Sequence, residues 1–378
     1  MKVKKLLARK VLNSRGEPTI EVTVNGHSAA APSGASVGSH EAPAFPKQGI
    51  GFCVDFMKSF REIESVSFRE FDDLGKVEHI LPTVGANTVI ALEYALLKAM
   101  SKGNVWRFLN PGAKKLPVPL GNCVGGGAHA KRGIDIQEIL LVPEGKDFYE
   151  RYFVNKYIYN KIGKVLNVRS RTDEGAWAPV TSDMNALSRV FDVVKDSANT
   201  LNMKVGIGVD WAASQLWRHG AYRYKNLKGG SQNLTRQQQV KLISEVISRF
   251  KLRYVEDPFE EDAFDDFGKV KASGTLICGD DLVCTGMDRF KEALRHDSVN
   301  CIIVKPNQVG SLIKTKEIVD FAARKHVATV ISHRSGETLD ATIAHLAVAW
   351  GIPYIKTGIY GDERQAKLKE LIKIEKEI

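Results

Sequence analysis

The sequence predicts an α/β protein that has a C-terminal TIM-like (β/α)8 barrel and a smaller N-terminal α+β domain. Six short apolar runs in the second half of the chain each end in a polar residue. After a first gap of 46 residues, these polar residues follow one another at 24, 25, 28 and 23 positions, about one strand plus one helix each time. The carboxyl ends of barrel strands open on one face, where active sites lie. The six residues are Asp210, Glu256, Asp280, Lys305, His333 and Lys356.

The first third of the chain has a different pattern, which predicts a small antiparallel sheet. Residues 3–12, 18–24 and 27–31 read as strands. The N-G pair at positions 25–26 is a strong signal for a tight hairpin between the second and third strands. A loop rich in small residues follows.

Residues 86–100 read as a helix because their apolar side chains recur on one face. The prolines and glycine at positions 111–119 indicate a domain boundary. We therefore expect an N-terminal capping domain over residues 1–115 and a barrel catalytic domain over residues 116–378.

Strand–helix alternation continues along the second domain. Thr235 is a typical N-cap for a helix with an inward apolar face, and residues 252–255 read as the next strand. Apolar residues after Lys305 predict another helix. About 260 residues remain for this domain, which is enough for one barrel.

The composition is that of an ordinary globular protein, with 43% hydrophobic and 26% charged residues among 378. No apolar run reaches the roughly 18 residues that span a bilayer. The basic start of the chain is not followed by a signal-peptide core, so we expect a cytoplasmic protein without a membrane partner. Five cysteines without a C-x-x-C pair favour buried, reduced thiols over a disulfide or zinc site.

The net charge of +10 is compatible with nucleic acid, an anionic surface or an anionic substrate. The basic residues are scattered, and no cluster of basic and aromatic residues resembles a nucleic-acid module. The pattern favours a solvated basic surface and argues against a nucleic-acid partner. Steering of a phosphorylated substrate is compatible with this charge.

Asp210, Glu256 and Asp280 supply hard oxygen ligands from neighbouring strand ends, which suits Mg²⁺ better than zinc. One acidic residue at a strand end is more often a helix cap or a solvated carboxylate. Three in register, followed by a lysine, favour a metal site, because unpaired carboxylates packed together are costly without a cation.

Lys305 has two interpretations. A lysine at the end of a buried strand is usually the ion-pair partner of a barrel carboxylate. Near a metal and Lys356, it would instead be pushed toward its neutral form and could accept a proton.

Two upstream segments are further candidates for chemistry. The G-G-G-A-H stretch at residues 125–129 reads as a mobile glycine loop that carries one histidine. The pairs Gln137-Glu138 and Asp173-Glu174 place carboxylates that could serve as a general acid pair. Taken alone, each is more often a surface charge.

With these residues assembled, the chain resembles the enolase family nearly end to end, as a shortened and divergent member. Ten motifs occur in the family's order. They are N-S-R-G-E-P-T at residues 13–19, S-G-A-S-V-G-S-H-E-A at 33–42, G-A-H-A at 127–130, D-I-Q-E at 135–138, D-E-G-A-W-A-P at 173–179, V-E-D-P at 255–258, G-D-D-L at 279–282, K-P-N-Q at 305–308, S-H-R-S-G-E-T at 332–338 and K-T-G at 356–358.

The resemblance implies a barrel of enolase type and a Mg²⁺-dependent lyase of glycolysis that interconverts 2-phosphoglycerate and phosphoenolpyruvate. It implies that Lys305 removes the C2 proton and that Glu174, supported by Glu138, protonates the departing hydroxide. Two magnesium ions are expected, the second only with substrate and a closed loop. The implied metal ligands are Asp210, Glu256 and Asp280 for the first ion and Ser36 for the second, and the implied substrate-binding residues are His129, Gln137, His333, Arg334, Ser335 and Lys356.

Two alternatives stay open at this point. The changed loop at residues 37–46 is compatible with an enolase-like paralogue that acts on another small phosphorylated or carboxylic acid. The basic surface is compatible with a non-catalytic protein that binds RNA or another polyanion. Changes at residues 360–364 leave a homo-oligomer open.

Overall fold

The computed structural model describes residues 1–34 and 39–378. An antiparallel meander, ordered β1-β2-β3, forms the N-terminal sheet. Helix α3 packs on this sheet through Val89, Leu92 and Leu96, which are fully buried. These elements are β1 (Leu6–Leu12), β2 (Pro18–Val24), β3 (His27–Ala30), α1 (Gly49–Ser59), α2 (Leu81–Val84), α3 (Ala86–Met100) and α4 (Val105–Leu109), with 3₁₀ turns over Arg61–Ser65 and Phe71–Ile80.

Eight strands close into a barrel in the order β10-β11-β12-β13-β14-β4-β5-β6. The strand β5 runs antiparallel to both of its neighbours, and the other six pairings are parallel. The strands are β4 (Val118–Gly125), β5 (Glu138–Pro143), β6 (Val205–Asp210), β10 (Tyr254–Glu256), β11 (Leu276–Gly279), β12 (Cys301–Val304), β13 (Ala328–Ser332) and β14 (Tyr354–Lys356).

Helices surround the barrel, and a small antiparallel sheet fills the long gap between β6 and β10. The helices are α5 (Phe148–Val165), α6 (Asp183–Leu201), α7 (Arg236–Phe250), α8 (Phe264–Lys269), α9 (Met287–Arg295), α10 (Pro306–Val309), α11 (Leu312–Arg324), α12 (Thr342–Ala349) and α13 (Asp362–Glu375), and the small sheet contains β7 (Trp217–Arg218), β8 (Ala221–Tyr224) and β9 (Gln232–Leu234).

The α/β fold class is confirmed, and so are the N-terminal strands, the helix at 86–100 and the helix cap at Thr235. The Thr235 hydroxyl accepts from the Gln238 N–H, and the Gln238 side chain accepts from the Thr235 N–H, which is a capping box. A uniform strand–helix repeat would make every barrel strand parallel to its neighbours. The strand β5 is antiparallel instead, because the segment after β4 joins the two strands as in a hairpin. The division at residues 115 and 116 stays a prediction.

All five cysteines are buried and free, as the odd count predicted. Among the described residues, no helix is both long and apolar enough to cross a bilayer.

Strand register sets the position of the candidate site. Glu138 on β5 pairs with Asp210 on β6, which in turn pairs with Glu256 on β10. On the far side of the barrel, Ser332 on β13 pairs with Lys356 on β14. The sequence-predicted residues therefore meet in one layer at a single mouth of the barrel.

A buried glutamate on α3, Glu93, connects the N-terminal part of the chain to helix α11 beside the barrel. Glu93 on α3 is fully buried, and its Oε2 accepts from the backbone N–H of Leu312 at 2.8 Å, at the start of α11. Its Oε1 has no hydrogen-bond partner in the described part of the chain. Burial raises the pKa of Glu93 well above its ordinary value, so the neutral acid is the form that fits this place.

We expect Glu93→Gln to stabilise the protein increasingly between about pH 5 and pH 8. The folded-state pKa lies above the unfolded value of about 4.3, so the native state binds more protons and loses stability as the pH rises. The slope reaches up to about 1.4 kcal/mol per pH unit, whereas an amide does not titrate. Urea unfolding of both proteins across this range measures the difference.

The control is Glu317→Gln on the exposed face of α11, which should leave the pH dependence unchanged. A Glu93→Gln variant that is less stable than the parent at pH 8 would contradict the assignment of a neutral acid.

Candidate active site

A buried lysine lies at the centre of the barrel mouth. The ammonium of Lys356 is 2.8 Å from Asp210 Oδ2 and 2.9 Å from both Glu256 oxygens. It also lies 2.9 Å from Glu138 Oε2. All four side chains are nearly inaccessible to solvent, and this one cation compensates three carboxylates.

The pKa values of Lys356 and Glu256 are both raised, which favours the charged form of the lysine and the neutral form of the glutamic acid. Burial by itself would lower the pKa of Lys356, but the negative charges of Asp210 and its neighbours outweigh burial and raise it well above its ordinary value. Burial and the adjacent Asp210 charge raise the pKa of Glu256 well above its ordinary range. The Tyr254 hydroxyl donates to Glu256 Oε2 at 2.6 Å from the layer below. The site therefore favours additional positive charge.

Lys305 follows β12 and forms an ion pair with Asp280, which follows β11. Burial opposes the charged form, but the Asp280 carboxylate dominates and raises the pKa of Lys305 above its ordinary value. The ion-pair interpretation of Lys305 describes this contact with Asp280. The neutral lysine beside a metal stays a prediction.

A proton-sharing group lies on the opposite side of the pocket. Asn122 Nδ2 donates to Glu138 Oε1 at 2.7 Å and to Glu174 Oε2 at 3.5 Å, so it holds the two carboxyls side by side. Burial raises the pKa of Glu138. Burial acts the same way on Glu174, but the charge of His129 and the hydrogen bond to Glu138 prevail and lower its pKa to about 2.

His129 completes this group. Its Nδ1 is 2.9 Å from Asp173 Oδ1 and its Nε2 is 3.7 Å from Glu174 Oε1. Burial opposes protonation, yet Glu174 and Asp173 raise the pKa of His129 to about 9. At neutral pH, His129 holds a proton and Glu174 is ionised, while burial shifts the pKa of Glu138 upward.

The glycine loop before His129 is closely packed. A Cβ on Gly126 would lie 2.0 Å from the carbonyl oxygen of Ile134, which no side chain tolerates. Gly127–His129 form a 3₁₀ turn. The glycines therefore serve close backbone approach, which aims His129 at Glu174.

Cationic and polar groups from the loop after β13 line the remaining wall. Arg334 Nη1 donates to Asn307 Oδ1 at 2.9 Å, and its Nη2 contacts both oxygens of Glu41 at 2.9 and 3.0 Å. Ser335 lines the same pocket. Burial lowers the pKa of His333 well below its ordinary value, so this imidazole is neutral at 3.6 Å from Glu174.

The structure brings all but one of the predicted site residues to one pocket or its wall. Gln137 Nε2 donates to Asp210 Oδ2 at 3.2 Å and Gln308 Nε2 to Asp280 Oδ1 at 3.3 Å. Ser36, the predicted ligand of a second metal, lies outside the described residues. The cavity among these side chains measures about 40 Å³, room for no more than a few waters.

The donor chemistry fits a hard divalent cation, although the closest clusters are not the predicted trio. Within the described ranges, two groups place three ligand-type atoms within 4.8 Å of one another. The physical reason is that Lys356 lies between Asp210 and Glu256 while Lys305 holds Asp280. The two groups are Glu138 with Glu174 and His333, and Asp257 with Asp280 and Asp281.

Sequence reasoning missed four residues that order this site. Asn122 pairs the two acids, and Asp257 accepts from the backbone N–H groups of Asp280 and Asp281 at 3.0 and 2.7 Å. Glu41 forms an ion pair with Arg334. Arg364 Nη2 donates to the Ser335 carbonyl at 2.8 Å. An amide or a second acid gives no signal in a single sequence, since its partner is distant along the chain.

A barrel whose mouth joins carboxylates, two buried lysines and an acid pair defines an enzyme for proton abstraction next to a carboxylate. Comparison with known proteins makes this specific. The family model described as the enolase C-terminal TIM barrel domain matches residues 113–378, and the enolase N-terminal domain matches residues 3–49. The chain belongs to the enolase family, and its reaction is the interconversion of 2-phosphoglycerate with phosphoenolpyruvate and water.

The similarity to archaeal relatives extends over nearly the whole chain. The enolase of Methanocorpusculum labreanum is 40% identical over 396 residues, which cover 98% of each protein. The enolase of Methanothermobacter thermautotrophicus is 38% identical over 98% of this chain and 95% of its own. That of Haloquadratum walsbyi is 38% identical over 97% and 96%. These matches favour an enolase over a paralogue or a non-catalytic binding protein, and Mg²⁺ binding is general to the family.

We expect Lys356→Met to destabilise the metal-free protein by about 3–5 kcal/mol, because removal of the cation leaves buried carboxylates uncompensated. Added Mg²⁺ should then stabilise the variant more than the parent, since a ligand that binds only the native state raises its stability. Thermal unfolding with EDTA and with a Mg²⁺ series measures both effects.

Lys314→Met, at an exposed position on α11, controls for loss of a lysine. Unchanged stability of Lys356→Met in EDTA would mean that the three carboxylates do not depend on this ammonium.

Proposed function

We propose that the enolase reaction proceeds in the pocket between Lys305 and Glu174, with Lys305 as the base and Glu174 as the acid. One observation supports this assignment above the others. The two side chains come from distant parts of the chain, yet both line the same small polar pocket. A base and an acid on different walls are what removal of a proton and loss of a hydroxide from adjacent carbons require.

In this proposal, the first Mg²⁺ is held by Asp210, Glu256 and Asp280, and the second by Ser36 together with the substrate phosphate. The ions would supply positive charge to the substrate carboxylate as it becomes an enediolate. Oxygen donors of three carboxylates suit this cation. The raised pKa of Glu256 marks a place that lacks positive charge.

Lys305 has to be neutral before it can accept the C2 proton. Its raised pKa depends on Asp280, whereas burial and the charges of Arg334 and Lys356 act in the opposite direction. Any change that draws Asp280 away therefore removes the largest influence that raises the pKa of Lys305. The base is thereby activated by the same carboxylate that we assign to the metal.

Glu174 then passes a proton to the departing C3 hydroxide. With a pKa of about 2 it is ionised, but His129 holds a proton on one side and burial raises the pKa of Glu138 on the other. Because Glu138 and Glu174 are coupled, they exchange one proton as a pair. Asn122 donates to both carboxyls and keeps them in place.

Substrate binding requires exchange of ion-pair partners. Arg334, together with Ser335, is placed to bind the phosphate, but Arg334 is engaged with Glu41. Lys356 is placed to bind the carboxylate, with His129, Gln137 and His333 around it. Because Glu41 contacts Arg334 Nη2 through both carboxylate oxygens, it has to move away before this guanidinium can bind a phosphate. The N-terminal domain over residues 1–115, which carries Glu41, therefore acts as a cap in this proposal.

We expect purified protein with 2-phosphoglycerate and Mg²⁺ to generate the ultraviolet absorbance of phosphoenolpyruvate. Lys305→Ala should lower kcat by about 10³-fold, since it removes the proposed base. EDTA should abolish turnover, and Mg²⁺ should restore it. Turnover that survives both treatments would contradict the proposal, and absence of turnover in the folded parent would redirect it to another acid.

We expect Glu174→Gln to lower the rate of water elimination by about 10²–10⁴-fold while Lys305 still removes the C2 proton. In heavy water, the variant should exchange the C2 hydrogen of 2-phosphoglycerate for deuterium, as measured by NMR. Lys305→Ala is the matched control and should lose both reactions. Loss of exchange in Glu174→Gln would show that the two steps are not separable and that Glu174 acts before the proton leaves.

A further inference from the structure

A second cavity adjoins the catalytic pocket on the outer side of the glycine loop. It measures about 980 Å³ and is bounded by residues 127–135 and by the small sheet β7–β9. Ala212 and Gln215 line both cavities. Gln215 Nε2 donates to Gln137 Oε1 at 2.9 Å, and Gln137 in turn contacts Asp210. The two spaces are therefore separated by little more than one loop and one pair of side chains.

Five basic side chains line this second cavity, and we call them the cationic vestibule. All are exposed, and in the described part of the chain none forms an ion pair or a side-chain hydrogen bond. Residues 35–38, outside the description, include no acidic residue. The vestibule consists of Lys131, Arg132, Arg218, Arg223 and Lys225.

The acid in the described lining does not neutralise these charges. Asp135 Oδ2 accepts from the backbone N–H groups of Lys225 and Asn226, both at 2.7 Å. These two hydrogen bonds connect the glycine loop to the segment that follows β8 of the small sheet. Five cations thus face one carboxylate that is already engaged, and the local potential is strongly positive.

A cavity at the opposite end of the barrel has a different charge pattern. It measures about 420 Å³ and lies beside the end of α7. Three of its four lining cations form ion pairs, namely Lys269 with Asp266, Lys271 with Asp297 and Arg253 with Glu144. Among the described residues, none of the five vestibule cations does.

We propose that the cationic vestibule is an anion-binding antechamber that captures the phosphorylated carboxylic acid before it enters the catalytic pocket. The inference rests on the proposed function. Its ligand is a small, multiply charged anion, because the cations surround an open, solvated space. Tyr224, an aromatic residue of the lining, is buried and offers no exposed face on which a nucleic-acid base could stack.

Capture of this kind acts on binding and not on the chemical step. Clefts lined by one sign of charge raise the local concentration of an oppositely charged ligand by about 10-fold or more. The attraction falls when salt reduces the Debye length from about 8 Å at physiological ionic strength to about 3 Å at 1 M. An antechamber therefore lowers KM at low salt and leaves kcat unchanged.

The test uses the double variant Arg218→Gln/Arg223→Gln, which removes two vestibule charges without a residue assigned to catalysis. Lys114→Gln/Lys115→Gln is the matched control, since both lysines are exposed and line neither cavity. Steady-state kcat and KM for 2-phosphoglycerate are measured with Mg²⁺ from low to about 0.5 M salt. Thermal unfolding verifies that both variants are folded.

The expected result is a KM about 3- to 10-fold higher in the vestibule variant at low salt, an unchanged kcat and a difference that disappears at high salt. The control should follow the parent. Equal KM values in variant and parent would overturn the inference, and so would the same KM shift in the control. Loss of binding to a single-stranded oligonucleotide with an unchanged KM would also overturn it and assign the surface to nucleic acid. Absence of turnover in the parent would instead be a failure of the proposed function.

Discussion

The barrel mouth depends on one buried cation, the ammonium of Lys356, which contacts Glu138, Asp210 and Glu256 within 2.9 Å. Carboxylates so close together repel one another and lose their hydration, so they can share a layer only around positive charge. The same necessity explains the other pairs at this mouth, in which Lys305 holds Asp280 and Arg334 holds Glu41. Lys356, Lys305 and Arg334, to which the proposed reaction assigns roles, each also stabilise at least one carboxylate beside them.

The strand register delivers these charges to one layer although the strands do not all run in the same direction. The strand β5 is antiparallel to its neighbours, so its first residue, Glu138, reaches the level at which β6 and β10 end in Asp210 and Glu256. The short connection from β4 that reverses β5 also contains the close turn around Gly126 and the histidine of the acid pair. One local reversal of the chain thereby supplies both the Glu138 carboxyl and the imidazole beside Glu174.

The residues at the strand ends could be predicted from the sequence because a regular spacing and a polar residue type occur together at these positions. Asp210, Lys305 and Lys356 each follow a short apolar run, and such runs at regular spacing, each followed by a helical pattern, favour core strands. The direction of β5, the small sheet β7–β9 and the contacts of Asn122 were not predictable, because they depend on pairings between distant residues that no local pattern encodes. Motif resemblance supplied roles for Glu174 and Arg334, but not the ion pair between Arg334 and Glu41, since a motif names residues and not their partners.

The charge pattern also explains why a closed, nearly filled pocket is compatible with binding a highly charged substrate. The phosphate and carboxylate of the substrate and the positive charge of divalent ions would replace existing partners without leaving a buried charge alone. Arg334 would exchange Glu41 for phosphate, Lys356 would exchange protein carboxylates for the substrate carboxylate, and Asp280 would exchange Lys305 for a metal. Because an uncompensated buried charge is the expensive state, partner exchange keeps the cost of assembly low. In the proposed reaction, it would also free Lys305 only when the substrate and the ions are in place, which would couple activation of the base to a complete site.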